Sequence, residues 1–104
     1  MSHFDYATYS IGGITLISDG YDADRDITFY RSRDFINPKD GKSMYLRLGR
    51  YSNHDWGSCE LSYSGADSPI RYTENVYDSS DVLAFIADVE RDEVGGASIR
   101  ELLE

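Results

Sequence analysis

Residues 70–89 read IRYTENVYDSSDVLAFIADV, and the spacing of the apolar side chains changes within this stretch. Up to Tyr77 the apolar residues alternate with polar ones, which is typical of a strand. Beyond Tyr77 they recur at i, i+3, i+4 and i+7, as Val82, Phe85, Ile86 and Val89. That second pattern predicts a helix whose apolar stripe covers one face of a sheet.

The chain before this stretch consists of short alternating segments separated by turn-forming residues. These segments are Phe4–Ile11, Ile14–Ser18, Asp26–Arg31, Ser43–Tyr51 and Ser58–Ser64. Gly12 and Gly13 suit a two-residue hairpin turn, because both positions require positive φ. The pattern predicts an antiparallel meander of about five or six strands over residues 4–77. A length of 104 residues favours one domain spanning residues 1–104.

The predicted helical segment covers residues 79–104 and has recognisable ends. Ser79 or Ser80 is expected to cap the first helix, and Gly95-Gly96 is expected to end it. Ser98 and Glu101 have the spacing of a capping box, which predicts a short final helix. Strands followed by helices indicate the α+β class, with a C-terminal helix packed on the sheet.

Negative charge is concentrated in the last third of the chain. The formal net charge is −9, and residues 73–104 carry nine carboxylates against Arg91 and Arg100, for −7. Such a field attracts basic surfaces and repels bare nucleic acid and anionic membranes. Direct binding to nucleic acid or to a membrane is therefore not expected.

The first candidate binding surface is the polar side of the predicted helix. Its carboxylates are Asp81, Asp88, Glu90, Asp92 and Glu93. Asp88 and Asp92 are four residues apart, or about 6 Å along a helix axis, which is comparable to the spacing of neighbouring phosphates. Because like charges at this spacing destabilise a helix, the surface favours a cationic partner. The alternative is an ordinary solvated face that maintains solubility.

The second candidate is the alternating series Asp22, Asp24 and Asp26. It resembles the start of a calcium-binding loop, but Ile27 and Arg33 occupy the positions where that loop needs Gly and Glu. The series would lie on one face if it entered a strand. It is then either an acidic stripe for a partner or a solvated loop.

Catalytic and metal-binding patterns are missing from the sequence. His54 and Asp55 are adjacent in a predicted loop, but no nucleophile motif accompanies them. Cys59 aligns with core positions, and one Cys with one nearby His makes no zinc site. We therefore expect neither an enzyme nor a cofactor.

Trp56 is either an interface anchor or a cap at the end of the sheet.

The expected location is the cytoplasm of a bacterial host. The start of the chain lacks a basic region followed by an apolar run, so no signal peptide is expected. The longest apolar run, Val82–Ala87, has six residues, whereas a membrane span needs about 20. A single cysteine also fits a reducing compartment.

In size, acidity, tyrosine content and lack of catalytic motifs, the chain resembles phage-encoded anti-CRISPR and anti-restriction proteins. The resemblance implies a non-enzymatic inhibitor that mimics nucleic acid and masks a basic site on a CRISPR effector or restriction enzyme. An immunity protein that neutralises a nuclease toxin would use the same charges. A small phage or assembly subunit is a third possibility, with the nine tyrosines supplying a self-interface and a possible homodimer.

Overall fold

The computed structural model describes residues 8–51, 56–65 and 70–104. The strands in these ranges are β1 Thr8–Ile11, β2 Ile14–Asp22, β3 Ile27–Arg31, β4 Phe35–Ile36, β5 Ser43–Tyr51, β6 Trp56–Tyr63 and β7 Ile70–Asn75. After them come helix α1 Ser79–Asp88, a π-helical turn Val89–Glu93 and helix α2 Ile99–Leu102. The predicted α+β class is confirmed.

The described strands form one antiparallel sheet in the order β1-β2-β3-β5-β6-β7. Each long strand therefore lies beside the one before it, as expected for a meander. The short β4 follows the line of β3 along β5, with Phe35 opposite Met44. With β4, the sheet has seven strands within the described ranges, one more than the upper end of the prediction. The sequence did not indicate β4, because two residues are too few to show an alternating pattern. Residues 4–7 of the first expected strand lie outside the described residues.

Gly12 and Gly13 form the predicted hairpin turn between β1 and β2. Their φ angles are +61° and +80°, and Ile11 pairs with Ile14 across the turn. Side chains with a Cβ rarely adopt this conformation, which explains why glycine occupies both positions.

The core lies between α1 and one face of the sheet. The predicted helical stripe is buried there, namely Val82, Phe85, Ile86 and Val89. On the sheet side, Leu46, Leu48 and Leu61 are also buried. Cys59 is buried among them, and desolvation raises the pKa of its thiol to about 12. Its predicted role as a core residue is confirmed.

The start of α1 differs from the prediction. Its N-cap is Asp78, with extended backbone, whereas Ser79 and Ser80 already belong to the helix. The Asp78 carboxylate accepts a hydrogen bond from the Asp81 N–H at 3.0 Å. Asp81 in turn accepts one from the Tyr77 N–H at 2.8 Å. The serine assignment was wrong because an aspartate one residue earlier satisfies the free amides at this helix end.

The end of the helical segment also differs from a regular α-helix. Residues 89–93 form a π-helical turn, in which the Val94 N–H donates to the Val89 carbonyl at 3.0 Å. Gly95 and Gly96 follow with positive φ and end it, as predicted. Ser98 caps α2 by accepting a hydrogen bond from the Glu101 N–H at 3.4 Å. In the described ranges, no helix combines the length and apolar composition needed to cross a membrane.

Candidate partner-binding groove

An open groove runs between β7, the last strand of the sheet, and α1. Its strand wall comprises Glu74, Asn75, Val76 and Tyr77, and its helix wall comprises Asp81, Ala84, Phe85 and Asp88. The volume is about 160 Å³. We call this feature the edge groove, since β7 has a neighbouring strand on one side only within the described ranges.

Helical periodicity and strand alternation bring three carboxylates to the edge groove. Asp81 and Asp88 are seven residues apart, which is about two helical turns and places them on the same flank of α1. Glu74 lies two residues from Tyr72, so both side chains project from the same side of β7. The Tyr72 ring stacks on Phe85 with centroids 5.6 Å apart, which fixes that side as the one facing the helix.

Tyr72 reports the electrostatic field in the edge groove. Its hydroxyl donates a hydrogen bond to Glu74 Oε2 at 3.3 Å. Desolvation raises the pKa of Tyr72, and the charges of Glu74, Asp88 and Asp92 raise it further. Carboxylates from the strand, the helix and the π-helical turn therefore act on one phenol.

Arg91 lies next to the edge groove and donates hydrogen bonds to two of the predicted binding residues, Asp88 and Asp92. Its Nη2 is 2.8 Å from Asp88 Oδ1 and 3.0 Å from Asp92 Oδ2. These two carboxylates raise the pKa of Arg91, and Arg91 holds the pKa of Asp92 below its usual value. Because the Arg91 side chain is 64% exposed, solvent screens the pairing and it adds little to stability. A cation from a partner can replace it.

The remaining predicted helix carboxylates have intramolecular partners. Asp81 accepts a hydrogen bond from the Tyr77 N–H at the start of α1, and Glu90 Oε2 accepts one from the Ile99 N–H at 2.8 Å. Glu93 pairs with Arg71 at 3.1 Å and its side chain is only 13% exposed. These three residues hold the helical segment together, in addition to any role in binding.

Residues from outside the acidic segment also contact it. Arg71 reaches Glu93, and Lys39 Nζ donates to the Asp92 carbonyl at 3.2 Å. The Asn37 amide donates to the Glu93 carbonyl at 3.0 Å. Carbonyls at a helix C-terminus carry partial negative charge and need such donors. Sequence spacing gave no signal for these contacts, because Lys39 and Asn37 lie more than fifty residues from their acceptors.

A bulge in β7 explains how Arg71 reaches the helical segment. Leu61 pairs with Tyr72 and Ser62 with Ile70, so Arg71 has no partner in the register. A bulged residue leaves the regular alternation and its side chain is redirected. Three carboxylates, Glu74, Asp81 and Asp88, line the edge groove, and Asp92 is joined to Asp88 through Arg91. These four carboxylates and Arg91 together give a local charge of −3.

Asp22 is the last residue of β2, whereas Asp24 and Asp26 lie in the turn between β2 and β3, so the expected arrangement on one strand face was wrong. Asp22 closes the turn by pairing with Arg25 at 2.7 Å and accepting the Asp24 N–H at 3.0 Å. Arg25 lowers the pKa of Asp22. Asp26 has a φ of +56° and accepts a hydrogen bond from the Tyr21 hydroxyl. In the described ranges, no group of acidic, His and Cys side chains is arranged to hold a metal.

Trp56 begins β6 and belongs to an aromatic cluster. Its ring contacts Tyr9 edge-on at 5.8 Å, and the Arg50 guanidinium lies 4.3 Å above it. Tyr9 also contacts Tyr30 at 5.8 Å. Trp56 is partly buried in this cluster, which fits both an interface anchor and a cap at the end of the sheet. Its role in partner binding therefore stays a prediction. His54 and Asp55 lie outside the described residues.

No family model, curated protein or solved structure matches the chain.

Proposed function

We propose that this protein is a non-enzymatic inhibitor that binds a basic, nucleic-acid-handling protein through the edge groove and masks its nucleic-acid site. The observation that carries the proposal is the placement of Glu74, Asp81 and Asp88 along the edge groove, with Asp92 joined to Asp88 through Arg91. A basic site that normally accepts phosphates would find comparable anions there.

The electrostatics of the groove favour a protein partner over a small cation. The carboxylates come from a strand, a helix and a π-helical turn, so they are spread along a surface instead of enclosing one point. The exposed Tyr77 lines the groove, and Tyr72 contacts two of its lining residues, Glu74 and Phe85. Tyrosine provides large amphipathic contact area at low entropic cost, which suits a protein interface.

The proposed partner is a CRISPR effector or a restriction enzyme in the cytoplasm of a bacterial host. An immunity protein directed against a nuclease toxin is supported by the same carboxylates, since all three partners present basic nucleic-acid sites. The identity of the captured partner distinguishes the two hypotheses. An immunity protein would bind the cognate toxin of its own producer, whereas the proposed inhibitor would bind a CRISPR effector or a restriction enzyme.

The test is an affinity capture with wild-type protein and two charge-reversed variants as baits. Asp88→Lys/Asp92→Lys changes the groove, and the matched control Glu101→Lys/Glu104→Lys changes exposed carboxylates of the C-terminal segment. Each variant has two reversals of two charges each, so both go from −9 to −5. We expect the groove variant to lose its partner and the control to retain it.

The captured protein must itself bind nucleic acid, and a DNA duplex must displace it from the bait. Capture should also weaken between about 50 and 200 mM salt, as expected for contacts dominated by charge. Equal capture by both variants would show that overall charge, and not the edge groove, attracts the partner.

A further inference from the structure

The outer side of β7 carries backbone groups that no described residue satisfies. The Val76 N–H donates to the Gly57 carbonyl at 3.1 Å, and Asn75 pairs with Ser58 in the same register. Hydrogen-bonded and non-bonded pairs alternate along an antiparallel ladder. The backbone of Thr73 and Asn75 therefore points away from β6, toward the open edge.

Features that commonly protect a sheet edge are sparse along this strand. β7 has the sequence IRYTEN, without Pro or Lys, and its bulge lies near its beginning, at Arg71. Ile70 is 53% exposed and Tyr77 is 78% exposed, so apolar and aromatic side chains flank the edge. An exposed edge of this kind is a template for adding another strand.

The side chains beside the open edge have different character on the two faces of the sheet. On the helix-facing side, an added strand would lie next to Glu74 and opposite Asp81 and Asp88 across the edge groove. On the other side it would lie next to the neutral side chains of Thr73 and Asn75. Because strand side chains alternate between faces, every second residue of the added strand would face carboxylates.

We propose that β7 accepts an extended segment of the partner as an additional antiparallel strand, with Lys or Arg at alternate positions directed into the edge groove. This inference rests on the proposed function and specifies how the partner binds. Backbone hydrogen bonds to Thr73 and Asn75 supply affinity, and the carboxylates select cationic side chains.

Charge identifies the occupant as a cationic segment of another protein and not a second copy of this chain. Pairing two β7 strands would bring together two molecules that each carry −9. It would also place both edge grooves, each with a local charge of −3, on one continuous sheet. Like charges in that arrangement oppose association, whereas alternate cations on the added strand favour it.

The probe is a synthetic peptide, Thr-Lys-Thr-Lys-Thr-Lys-Thr-Lys-Thr, titrated into the full chain at low salt. With lysines facing the groove, the threonine N–H groups point toward β7 and the lysine N–H groups point away. Two N-methylated versions of equal charge therefore form a matched pair. Methylation of the backbone nitrogen at two central threonines blocks pairing with β7, and the same change at two central lysines leaves it intact.

We expect threonine methylation to weaken binding about tenfold or more, because two hydrogen bonds to β7 are lost. Lysine methylation should have a much smaller effect. Binding of the unmodified peptide should slow hydrogen exchange at the Thr73 and Asn75 amides. A stronger loss from lysine methylation, or no binding by any peptide, would overturn strand addition. Equal, salt-sensitive binding of all three peptides would overturn it as well, while leaving the charge-based function intact. The affinity capture decides the proposed function independently.

Discussion

Arg71 on the edge strand and Glu93 in the π-helical turn form an ion pair with 3.1 Å between Nη2 and Oε2. The pair joins β7, which contributes Glu74 to the edge groove, to the turn that carries Asp92. It depends on the β7 bulge, which removes Arg71 from the strand register. The position of the helical segment beside β7 is therefore set partly by one contact between oppositely charged groups.

Loss of this contact should reduce stability. Glu93→Gln removes the charge while keeping the side-chain volume, and we expect the free energy of unfolding to fall by about 1 kcal/mol, since Arg71 is half-exposed and solvent screens the pair. For a domain of this size that corresponds to a decrease in Tm of about 4–8 °C, measured by thermal unfolding. Glu101→Gln is the control, because Glu101 is exposed. Equal Tm values for the two variants would contradict the structural role of the pair.

The N-cap of α1 provides a second test. Asp78→Ala should destabilise the protein by about 1 kcal/mol, because the Asp81 N–H loses its acceptor at the helix end. Ser79→Ala should change stability by much less, since Ser79 is already within the helix. Chemical denaturation of both variants measures the difference. A larger effect at Ser79 would place the helix start one residue later than observed.

The electrostatic link between Glu74 and Tyr72 can be measured directly. Glu74→Gln removes both the charge and the carboxylate acceptor that raise the pKa of Tyr72. We expect the Tyr72 pKa to move down toward its ordinary value, as followed by NMR titration of carbon-13-labelled tyrosine. Glu101→Gln should leave this titration unchanged. An unaltered Tyr72 pKa in Glu74→Gln would mean that the strand carboxylate does not act on the edge groove.

Burial of Cys59 predicts a specific dependence of stability on pH. The folded-state pKa of its thiol is about 12, above the ordinary value of 9.0. A raised folded-state pKa means that the contribution is complete below about pH 9 and is lost as pH rises toward 12, because the unfolded thiol ionises first. Denaturation curves of wild type and Cys59→Ala should thus converge in this pH range. A constant difference between them would contradict burial of the thiol.

The elements that follow from local periodicity were predictable from the sequence. The β5 alternation and the Val82–Val89 stripe both report burial, since each repeats with the period of its own element. The Gly12-Gly13 turn was predictable for a similar reason, because it depends on the conformations of two adjacent residues.

The contacts that organise the candidate site were not predictable in this way. Arg71 reaches Glu93 through a bulge, and Lys39 reaches the end of the helical segment from a distant loop. Asp26 takes a left-handed conformation in a tight turn, so Asp22 and Asp24 are not aligned with it along a strand. Each case depends on tertiary packing or on a local break in periodicity, which residue spacing does not encode.

The most direct measurement of the central claim is inhibition of the captured partner. Its binding to a fluorescent DNA duplex is followed by anisotropy while wild-type protein, the groove variant Asp88→Lys/Asp92→Lys or the control Glu101→Lys/Glu104→Lys is added. We predict that wild type and control displace the DNA, and that the groove variant is weaker by at least about tenfold, since each reversed charge turns an attraction into a repulsion. Displacement by the groove variant at wild-type potency would contradict the claim that these carboxylates occupy the nucleic-acid site.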